Sequence, residues 1–276
     1  MKLLKIVSSQ MKLRFETPEE EINSRIVTAA SCFKNEPFSF QVLYRSEDKA
    51  LWEKLSIKVE TDLPVQVYRV DQVAIQNTAN LYCGNGYEGG MPGLYPNPLM
   101  PRSSSPVLAK MHDCGFYNIS SEEYYEKEEK YTLNGDTNFR SLWVSINPDS
   151  EKIQSGTYDI NIKLFSGYGA KLLEEEVFTL EVIDCDLPEN DTYYTNWFHV
   201  DCLCDFYKTE PYTDEFYKYF ETFVSNASRH RQNMLLVSAF TPPLDTVRGG
   251  ERRNVQLVDV TVTKDGYVFG FDRLKK

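Results

Sequence analysis

The clearest strand signal in the sequence is Tyr158-Asp159-Ile160-Asn161-Ile162-Lys163-Leu164, in which apolar and polar residues alternate. A period of two is typical of a β-strand that buries one face and exposes the other. Similar patterns occur at residues 38–44, 55–59, 65–70, 142–146 and 178–182. They are bounded by Gly, Pro and Asn, and no strong helical pattern lies between them. We therefore predict an N-terminal antiparallel β-sandwich over residues 1–186.

One segment interrupts this strand pattern. Residues 84–115 are rich in glycine and contain the run Tyr95-Pro96-Asn97-Pro98-Leu99. Because proline has no N–H to donate to a β-ladder, the segment is not expected to be a central strand. Its length and its tyrosines and leucines favour an ordered loop, which we expect to pack on the neighbouring domain.

A different pattern begins near residue 187. Residues 196–200 have the composition of a short buried strand, and residues 234–238 that of a parallel strand covered on both faces. Between them, Thr213 is a candidate helix N-cap, followed by phenylalanines at helical spacing. A strand, a helix and a strand in this order predict an α/β domain over residues 187–276. The predicted fold class is therefore mainly β with a C-terminal α/β part.

Composition and charge exclude several functions. The net charge is −11, from 30 basic and 41 acidic residues. This balance opposes binding to nucleic acid or to an anionic membrane surface, both of which require clustered cations. No run reaches the roughly 20 apolar residues that span a bilayer. Lys5 and Gln10 interrupt the apolar run at the N-terminus, so we predict a cytoplasmic protein. The six cysteines have no framework spacing, and we predict no cofactor.

One stretch of the second part is Asn196-Trp197-Phe198-His199-Val200-Asp201-Cys202-Leu203. It resembles the first barrel strand of glycoside hydrolase family 123 and its relatives. Residues 240–246 and 251–258, the loop at 95–99 and the junction at 187–189 are similar to it as well. The resemblance implies an N-terminal β-sandwich, a (β/α)₈ barrel and hydrolysis of β-linked N-acetylgalactosamine. It also implies a substrate-assisted mechanism: the acetamido oxygen of the sugar attacks the anomeric carbon, an Asp orients that group, and the adjacent Glu is the general acid.

The sequence departs from the family pattern in the length of its barrel part. A complete barrel takes about 250 residues, far more than follow residue 195 here. We therefore predict only the first βα units of an incomplete (β/α)₈ barrel, with the catalytic Asp-Glu pair beyond this chain. The chain itself is then expected to be inactive, and its incomplete barrel could cause self-association. The alternatives are a non-catalytic carbohydrate-binding or structural β-sandwich module, and a split enzyme completed by a second polypeptide.

Candidate glycan-binding residues lie at the end of the predicted first barrel strand. Trp197, His199 and Asp201 are two positions apart, so on a strand they share one face. Barrel active sites form at this end of the strands, where an aromatic ring, an imidazole and a carboxylate could hold a sugar. The alternative is a core tryptophan beside a structural His–Asp hydrogen bond. Arg252 could reach the ligand from a later loop, although such charged loops are usually solvated surface.

Two further groups have simpler explanations. Asp214-Glu215 is the one Asp-Glu dipeptide in the sequence, but it follows Thr213 at a predicted helix start, where acidic side chains complement the helix dipole. Strand alternation would place Cys202 and Cys204 on the face opposite His199 and Asp201. Because a closed zinc site needs four converging ligands, we predict no metal and a buried structural cysteine pair.

Overall fold

The computed structural model describes residues 2–14, 16–45, 55–75, 93–102, 116–118, 139–166, 171–189, 191–196, 198, 200–236, 239–240 and 253–275. The chain forms two compact units, Met1–Leu187 and Pro188–Lys276. Strands predominate over helices, which confirms the prediction of a mainly β protein.

The first unit contains two five-stranded sheets. Sheet 1 has the order β1-β3-β8-β5-β6, and sheet 2 the order β2-β10-β9-β4-β7. The strands of sheet 1 are β1 Leu4–Ser8, β3 Phe38–Tyr44, β5 Val65–Ile75, β6 Gly93–Arg102 and β8 Arg140–Ile146. The strands of sheet 2 are β2 Ala29–Phe33, β4 Ser56–Glu60, β7 Phe116–Asn118, β9 Gly156–Ser166 and β10 Lys171–Ile183.

A single hydrophobic core joins the two sheets. The alternating apolar residues of β9 point inward, and Ile160, Ile162 and Leu164 are fully buried. They pack in one cluster with inward residues of sheet 1 such as Val42 and Val144. Burying a side chain of this size contributes about 1.5–3 kcal/mol. The first unit is thus a β-sandwich whose core is built from the period-two pattern of its strands.

Two details of the sandwich differ from the predicted topology. The proline-containing run at residues 95–99 lies within β6, which pairs antiparallel with β5, so the prediction of a loop was wrong there. Prolines are tolerated because β6 is the last strand of sheet 1 and its outer edge needs no N–H donors. In addition, β2 pairs parallel with β10, from Ala29 opposite Thr179 to Phe33 opposite Ile183. The sandwich is therefore not purely antiparallel.

A short helix and two buried cations form a further layer of the first unit. Helix α1, Glu19–Ser24, contributes Ile22 to a small core with Leu43 and Phe139. Lys5 and Arg45 are each 3% exposed, and both cations lie over the Phe139 ring, at 4.9 and 4.2 Å from its centroid. Glu19 accepts hydrogen bonds from both side chains. Lys5 also donates to the Asn23 side-chain oxygen at 2.7 Å, and Arg45 to the Lys2 carbonyl oxygen at 3.0 Å. Burial of these cations is thus compensated by one carboxylate, one aromatic face and these hydrogen bonds.

The second unit contains three helices and a hairpin among its described residues. The helices are α2 Val200–Tyr207, α3 Asp214–Arg229 and α4 Asp272–Lys275, and the hairpin pairs β11 Asp259–Thr263 with β12 Gly266–Gly270. Helix α3 begins directly after Thr213, which confirms the predicted cap. The parallel strands predicted for a barrel are not found in the described parts of this unit.

The prediction of two strands in the second unit was wrong, because neither strand is found in the described residues. Val200 begins a helix instead of ending a strand. Residues 233–236 have no regular structure, and Met234 and Leu236 are 40% and 49% exposed. Short apolar runs fit a strand and a buried helix equally well, so periodicity alone could not distinguish them.

Among the described helices of the chain, none is long and apolar enough to cross a membrane.

Candidate functional site

The helical part of the second unit is organised by aromatic packing. Leu203 and Cys204 of α2 are buried together with Phe216 of α3. Around them, the Tyr207 ring stacks on Tyr219 at 4.0 Å between centroids, and Phe198 contacts Phe220 at 5.7 Å. Among the described residues, α2 therefore covers the phenylalanine face of α3. This pair of helices carries the described part of the candidate site.

Asp201 is the one predicted glycan-binding residue that lies within the described residues. It occupies the first turn of α2 and is 1% exposed. Trp197, His199 and Arg252 lie outside the described residues. The prediction that Asp201 shares one strand face with Trp197 and His199 was wrong, because Asp201 lies in a helix. Side chains two positions apart share a face on a strand, but on a helix, which turns about 100° per residue, they do not. The glycan-binding role of the four residues stays a prediction.

The two cysteines of α2 do not form a buried pair. Cys202 is exposed, whereas Cys204, two positions further along the helix, is fully buried on the same side as Asp201. Residues two positions apart on a helix point in nearly opposite directions, and residues three apart share a face. Burial raises the pKa of the Cys204 thiol, with an opposing effect from Thr209 and Arg253. Within the described ranges, no three His, Cys, Asp or Glu residues converge as metal ligands.

Arg253 connects the segment after residue 252 to the end of α2. Its guanidinium donates to the Thr209 carbonyl oxygen at 2.7 Å. It also lies 3.8 Å from a carboxylate oxygen of Asp205 and 3.7 Å from one of Glu210. Thr209 in turn donates its N–H to the Cys204 carbonyl at 3.1 Å. The sequence pointed to Arg252 as the ligand-facing arginine, and it did not predict that its neighbour Arg253 anchors this segment.

Tyr212 makes a second link to the same segment. Its hydroxyl donates to the carbonyl oxygen of Val255, which is itself 2% exposed. Burial raises the pKa of Tyr212 to about 12, so the phenol remains a hydrogen-bond donor at neutral pH. Gln256 follows closely and donates its side-chain amide to the Val258 carbonyl at 2.8 Å. Residues 253–258, part of a stretch that resembles the family, are thus linked by hydrogen bonds to Thr209 and Tyr212 in the connection between α2 and α3.

Asp214 and Glu215 lie in the first turn of α3. The Thr213 hydroxyl oxygen accepts from the Phe216 N–H at 3.3 Å, and both acidic side chains are exposed. The positive end of the helix dipole favours carboxylates at this position whatever their chemistry. This geometry agrees with the explanation of the dipeptide as part of a helix start.

Comparison with solved structures shows a fold shared with one characterised enzyme. A solved structure of a family 123 glycoside hydrolase from Clostridium perfringens matches 99% of this chain, with a TM-score of 0.58 and 11% sequence identity. The matched part is 44% of the length of that enzyme's chain, so this chain spans less than half of it. At this identity the likeness shows a shared fold.

The sequence of the second unit matches a family model. Residues 197–276 match the family model described as glycoside hydrolase 123, catalytic domain. The resemblance to glycoside hydrolase family 123 is therefore confirmed, and it covers the described parts of α2, α3 and the hairpin. No curated protein sequence matches the chain.

Two further solved structures share less with the chain. The major fimbrial subunit AggA of Escherichia coli covers 57% of this chain and 91% of its own, with 9% identity and a TM-score of 0.22. The C-terminal domain of the antigen I/II-family protein AspA of Streptococcus pyogenes covers 65% of this chain and 46% of its own, with 7% identity and a TM-score of 0.30. These scores are too low to indicate a common fold.

Proposed function

We propose that this chain is the N-terminal portion of a family-123-like glycoside hydrolase that acts on glycans carrying β-linked N-acetylhexosamine, with N-acetylgalactosamine as the preferred sugar. The observation that carries the proposal is the match of residues 197–276 to the family's catalytic domain. The likeness of the whole fold to the C. perfringens enzyme, whose structure was used to analyse glycolipid glycan hydrolysis, supports it. The cytoplasmic location inferred from the sequence stays a prediction.

The chain alone is proposed to be catalytically inactive. The family mechanism needs an adjacent Asp and Glu at the end of a barrel strand. In this sequence the Asp-Glu dipeptide is Asp214-Glu215, which begins a helix and belongs to its N-terminal turn. A positioned general acid alone contributes about 10²–10⁴-fold to the rate, and its absence together with that of its partner would leave no measurable turnover.

Chromogenic β-N-acetylgalactosaminide and β-N-acetylglucosaminide substrates test this proposal directly. We expect no release of chromophore from the purified chain or from the double variant Asp214→Asn/Glu215→Gln. Turnover that persists in the double variant would place a catalytic site elsewhere in the chain and contradict the proposed inactivity. Turnover that the double variant abolishes would instead identify Asp214 and Glu215 as the catalytic pair.

The proposed glycan contacts are Trp197, His199 and Arg252, with Asp201 in a supporting position. Because Asp201 is almost fully enclosed by protein, we propose that it supports the glycan site by positioning the start of α2. Glycan binding can persist without catalysis, since aromatic stacking and hydrogen bonds to hydroxyl groups need no general acid.

Binding is measured by calorimetric titration of the chain with an oligosaccharide that ends in β-linked N-acetylgalactosamine. We expect Trp197→Ala to weaken binding at least about tenfold, the loss of one anchoring aromatic contact. Tyr193→Ala is the matched control, because Tyr193 is 78% exposed in the same unit and has no proposed role. If Trp197→Ala and Tyr193→Ala bound the oligosaccharide equally well, the proposed site would be contradicted. If both also bound it as tightly as the wild-type chain, the result would favour the alternative, a carbohydrate-binding β-sandwich module.

A further inference from the structure

Two residues in the connection between α2 and α3 have an unusual backbone conformation. Lys208 and Tyr212 have φ angles of 58° and 63°, in the left-handed region that favours glycine. A residue with a bulky side chain rarely adopts this conformation, because it is sterically strained. Strain of this kind persists only where surrounding contacts impose it, and it is concentrated at functional sites. Residues 208–212, here called the α2–α3 connection, are therefore candidates for a role beyond joining two helices.

Hydrogen bonds to one later segment hold the α2–α3 connection in place. The Tyr212 hydroxyl donates to the carbonyl oxygen of Val255, which is 2% exposed. In the opposite direction, the Arg253 guanidinium donates to the carbonyl oxygen of Thr209 at 2.7 Å. The ion pairs of Arg253 are made with exposed carboxylates and contribute little. Each segment thus donates one side-chain hydrogen bond to the backbone of the other.

The two linked segments precede helices along the chain. The α2–α3 connection leads directly into α3, and residues 253–258 are followed by the β11–β12 hairpin and then by α4. In a (β/α)₈ barrel, the loop that precedes each helix lies at the active-site face. Under the proposed function, α3 and α4 are helices of such a barrel. The two segments then belong to consecutive βα loops on the face that binds the sugar, a step that rests on the proposed function.

The proposed glycan contacts are divided between these two loops. In the sequence, Trp197 and His199 precede α3, whereas Arg252 precedes α4 and is bonded directly to Arg253. A sugar that contacts both loops binds more tightly when their relative position is fixed before it arrives, because no binding free energy is then used to order them. The reciprocal hydrogen bonds of Tyr212 and Arg253 supply this constraint.

We propose that Tyr212 and Arg253 are positioning residues of the glycan site, which fix two consecutive βα loops against each other so that the sugar meets a preformed surface. Both act through a backbone carbonyl of the opposite loop, so neither side chain has to touch the sugar. The apparent dissociation constant of a ligand rises as the fraction of protein in the binding-competent arrangement falls. Removal of either bond therefore weakens binding even though every sugar-contacting residue is still present.

Calorimetric titration of the full chain with an oligosaccharide that ends in β-linked N-acetylgalactosamine tests the positioning role. Tyr212→Phe and Arg253→Ala should each weaken binding about fivefold, the equivalent of one lost hydrogen bond. Thr213→Ala is the matched control, because its side chain bonds to Glu210 and Phe216 and its loss should destabilise the second unit by a similar amount. This control should bind the oligosaccharide as tightly as the wild-type chain.

Hydrogen–deuterium exchange separates positioning from general stabilisation. In the wild-type chain, the amides of residues 253–258 should be protected before the oligosaccharide is added, and saturating oligosaccharide should add little. In Tyr212→Phe, the same amides should exchange faster without the sugar and regain protection when it is added, since the sugar then orders the loops. Amides in Tyr212→Phe that exchange at the wild-type rate without sugar would show that the bond does not fix the segment.

The outcomes distinguish this inference from the proposed function. Wild-type affinity in both Tyr212→Phe and Arg253→Ala would overturn the positioning role, and so would an equally large loss in Thr213→Ala. If Trp197→Ala weakens binding while the two positioning variants do not, the glycan site stands and the positioning role is wrong. If the wild-type chain binds no such oligosaccharide, the proposed glycan site and the positioning role are both wrong.

Discussion

Asn35 holds the backbone of Leu187 through two hydrogen bonds. Its side-chain nitrogen donates to the Leu187 carbonyl oxygen at 3.1 Å, and its side-chain oxygen accepts from the Leu187 N–H at 2.6 Å. Ion pairs of Lys34 with Asp184 and of Lys152 with Asp186 lie on the same segment, but they are exposed and contribute little. Asn35 is therefore the main anchor of the last residue of the first unit.

Replacement of Asn35 by alanine should release this segment. We expect Asn35→Ala to increase the rate of hydrogen–deuterium exchange at the Leu187 amide about thirtyfold, because a hydrogen bond of this kind contributes about 1 kcal/mol and two are lost. Proteolytic cleavage near residue 187 should accelerate as well. Asn161→Ala, on the outward face of β9, is the control and should change neither rate. Unchanged exchange at Leu187 in Asn35→Ala would show that another contact holds the segment.

The two sheets of the sandwich are joined by stacked phenylalanines. Phe40 of β3 and Phe178 of β10 have ring centroids 4.7 Å apart, and both are buried. Phe178→Ala should lower the free energy of unfolding of the first unit by about 3–5 kcal/mol, because it removes a core ring and leaves a cavity. Val177→Ala is the control on the other face, since Val177 is 44% exposed. The free energies of unfolding are measured by chemical denaturation. A similar loss in Phe178→Ala and Val177→Ala would contradict this expectation.

The hydrogen bonds of the buried cations Lys5 and Arg45 to Glu19 make the stability of the first unit depend on pH in the acidic range. The hydrogen bond from Lys5 has the largest effect on the pKa of Glu19 and lowers it; burial opposes this, but the hydrogen bond and charge of Arg45 add to the lowering and keep the pKa below its usual value of 4.5. A lowered folded pKa means that the stabilisation is fully present above pH 4.5 and is lost as the pH falls through the folded pKa. Glu19→Gln should therefore lower Tm at neutral pH, and the difference from wild type should shrink below pH 4.5. Glu21→Gln on the same helix is the control. A difference that does not depend on pH would exclude this ion pair as its cause.

Tyr212 makes the second unit sensitive to alkaline pH. Burial raises its pKa from 10.0 to about 12, so its contribution to stability is complete below pH 10.0 and disappears as the pH rises toward about 12. Tyr212→Phe, which loses the hydrogen bond to Val255, should cost about 1 kcal/mol at neutral pH. Its stability should also fall less than that of the wild type above pH 10.0. Tyr193→Phe is the exposed control. An identical alkaline transition in Tyr212→Phe and wild type would refute the assignment.

The cap of α3 is the last stability test. Thr213→Ala should lower the free energy of unfolding of the second unit by about 1 kcal/mol, since the Phe216 N–H loses its acceptor. Thr213→Ser keeps the hydroxyl oxygen and should retain nearly all of the stability. If serine were as destabilising as alanine, the methyl group of Thr213 would account for the effect and not the cap.

The local features of this protein could be predicted from its sequence. Strand β3 at Phe38–Tyr44 and helix α3 at Asp214–Arg229 were both expected, because their signals come from neighbouring residues: side-chain alternation in the first, and a capping threonine followed by phenylalanines at helical spacing in the second. Of the candidate site, the sequence indicated a segment near residue 201 and another near residue 252. The first of these was assigned to a strand, but Val200–Tyr207 is a helix.

Only the tertiary structure decided how these segments meet. Tyr212 reaches Val255 across 43 positions and Arg253 reaches Thr209 across 44, and no periodicity within either segment encodes such a contact. The same holds for Asp201, whose burial depends on the packing of α2 against α3, and for β6, whose prolines are acceptable because it is the edge strand of sheet 1. Local propensities differ by less than about 1 kcal/mol per residue, whereas burial of one large side chain contributes up to about 3 kcal/mol. Long-range packing therefore determines the structure wherever the local signal of this chain is ambiguous.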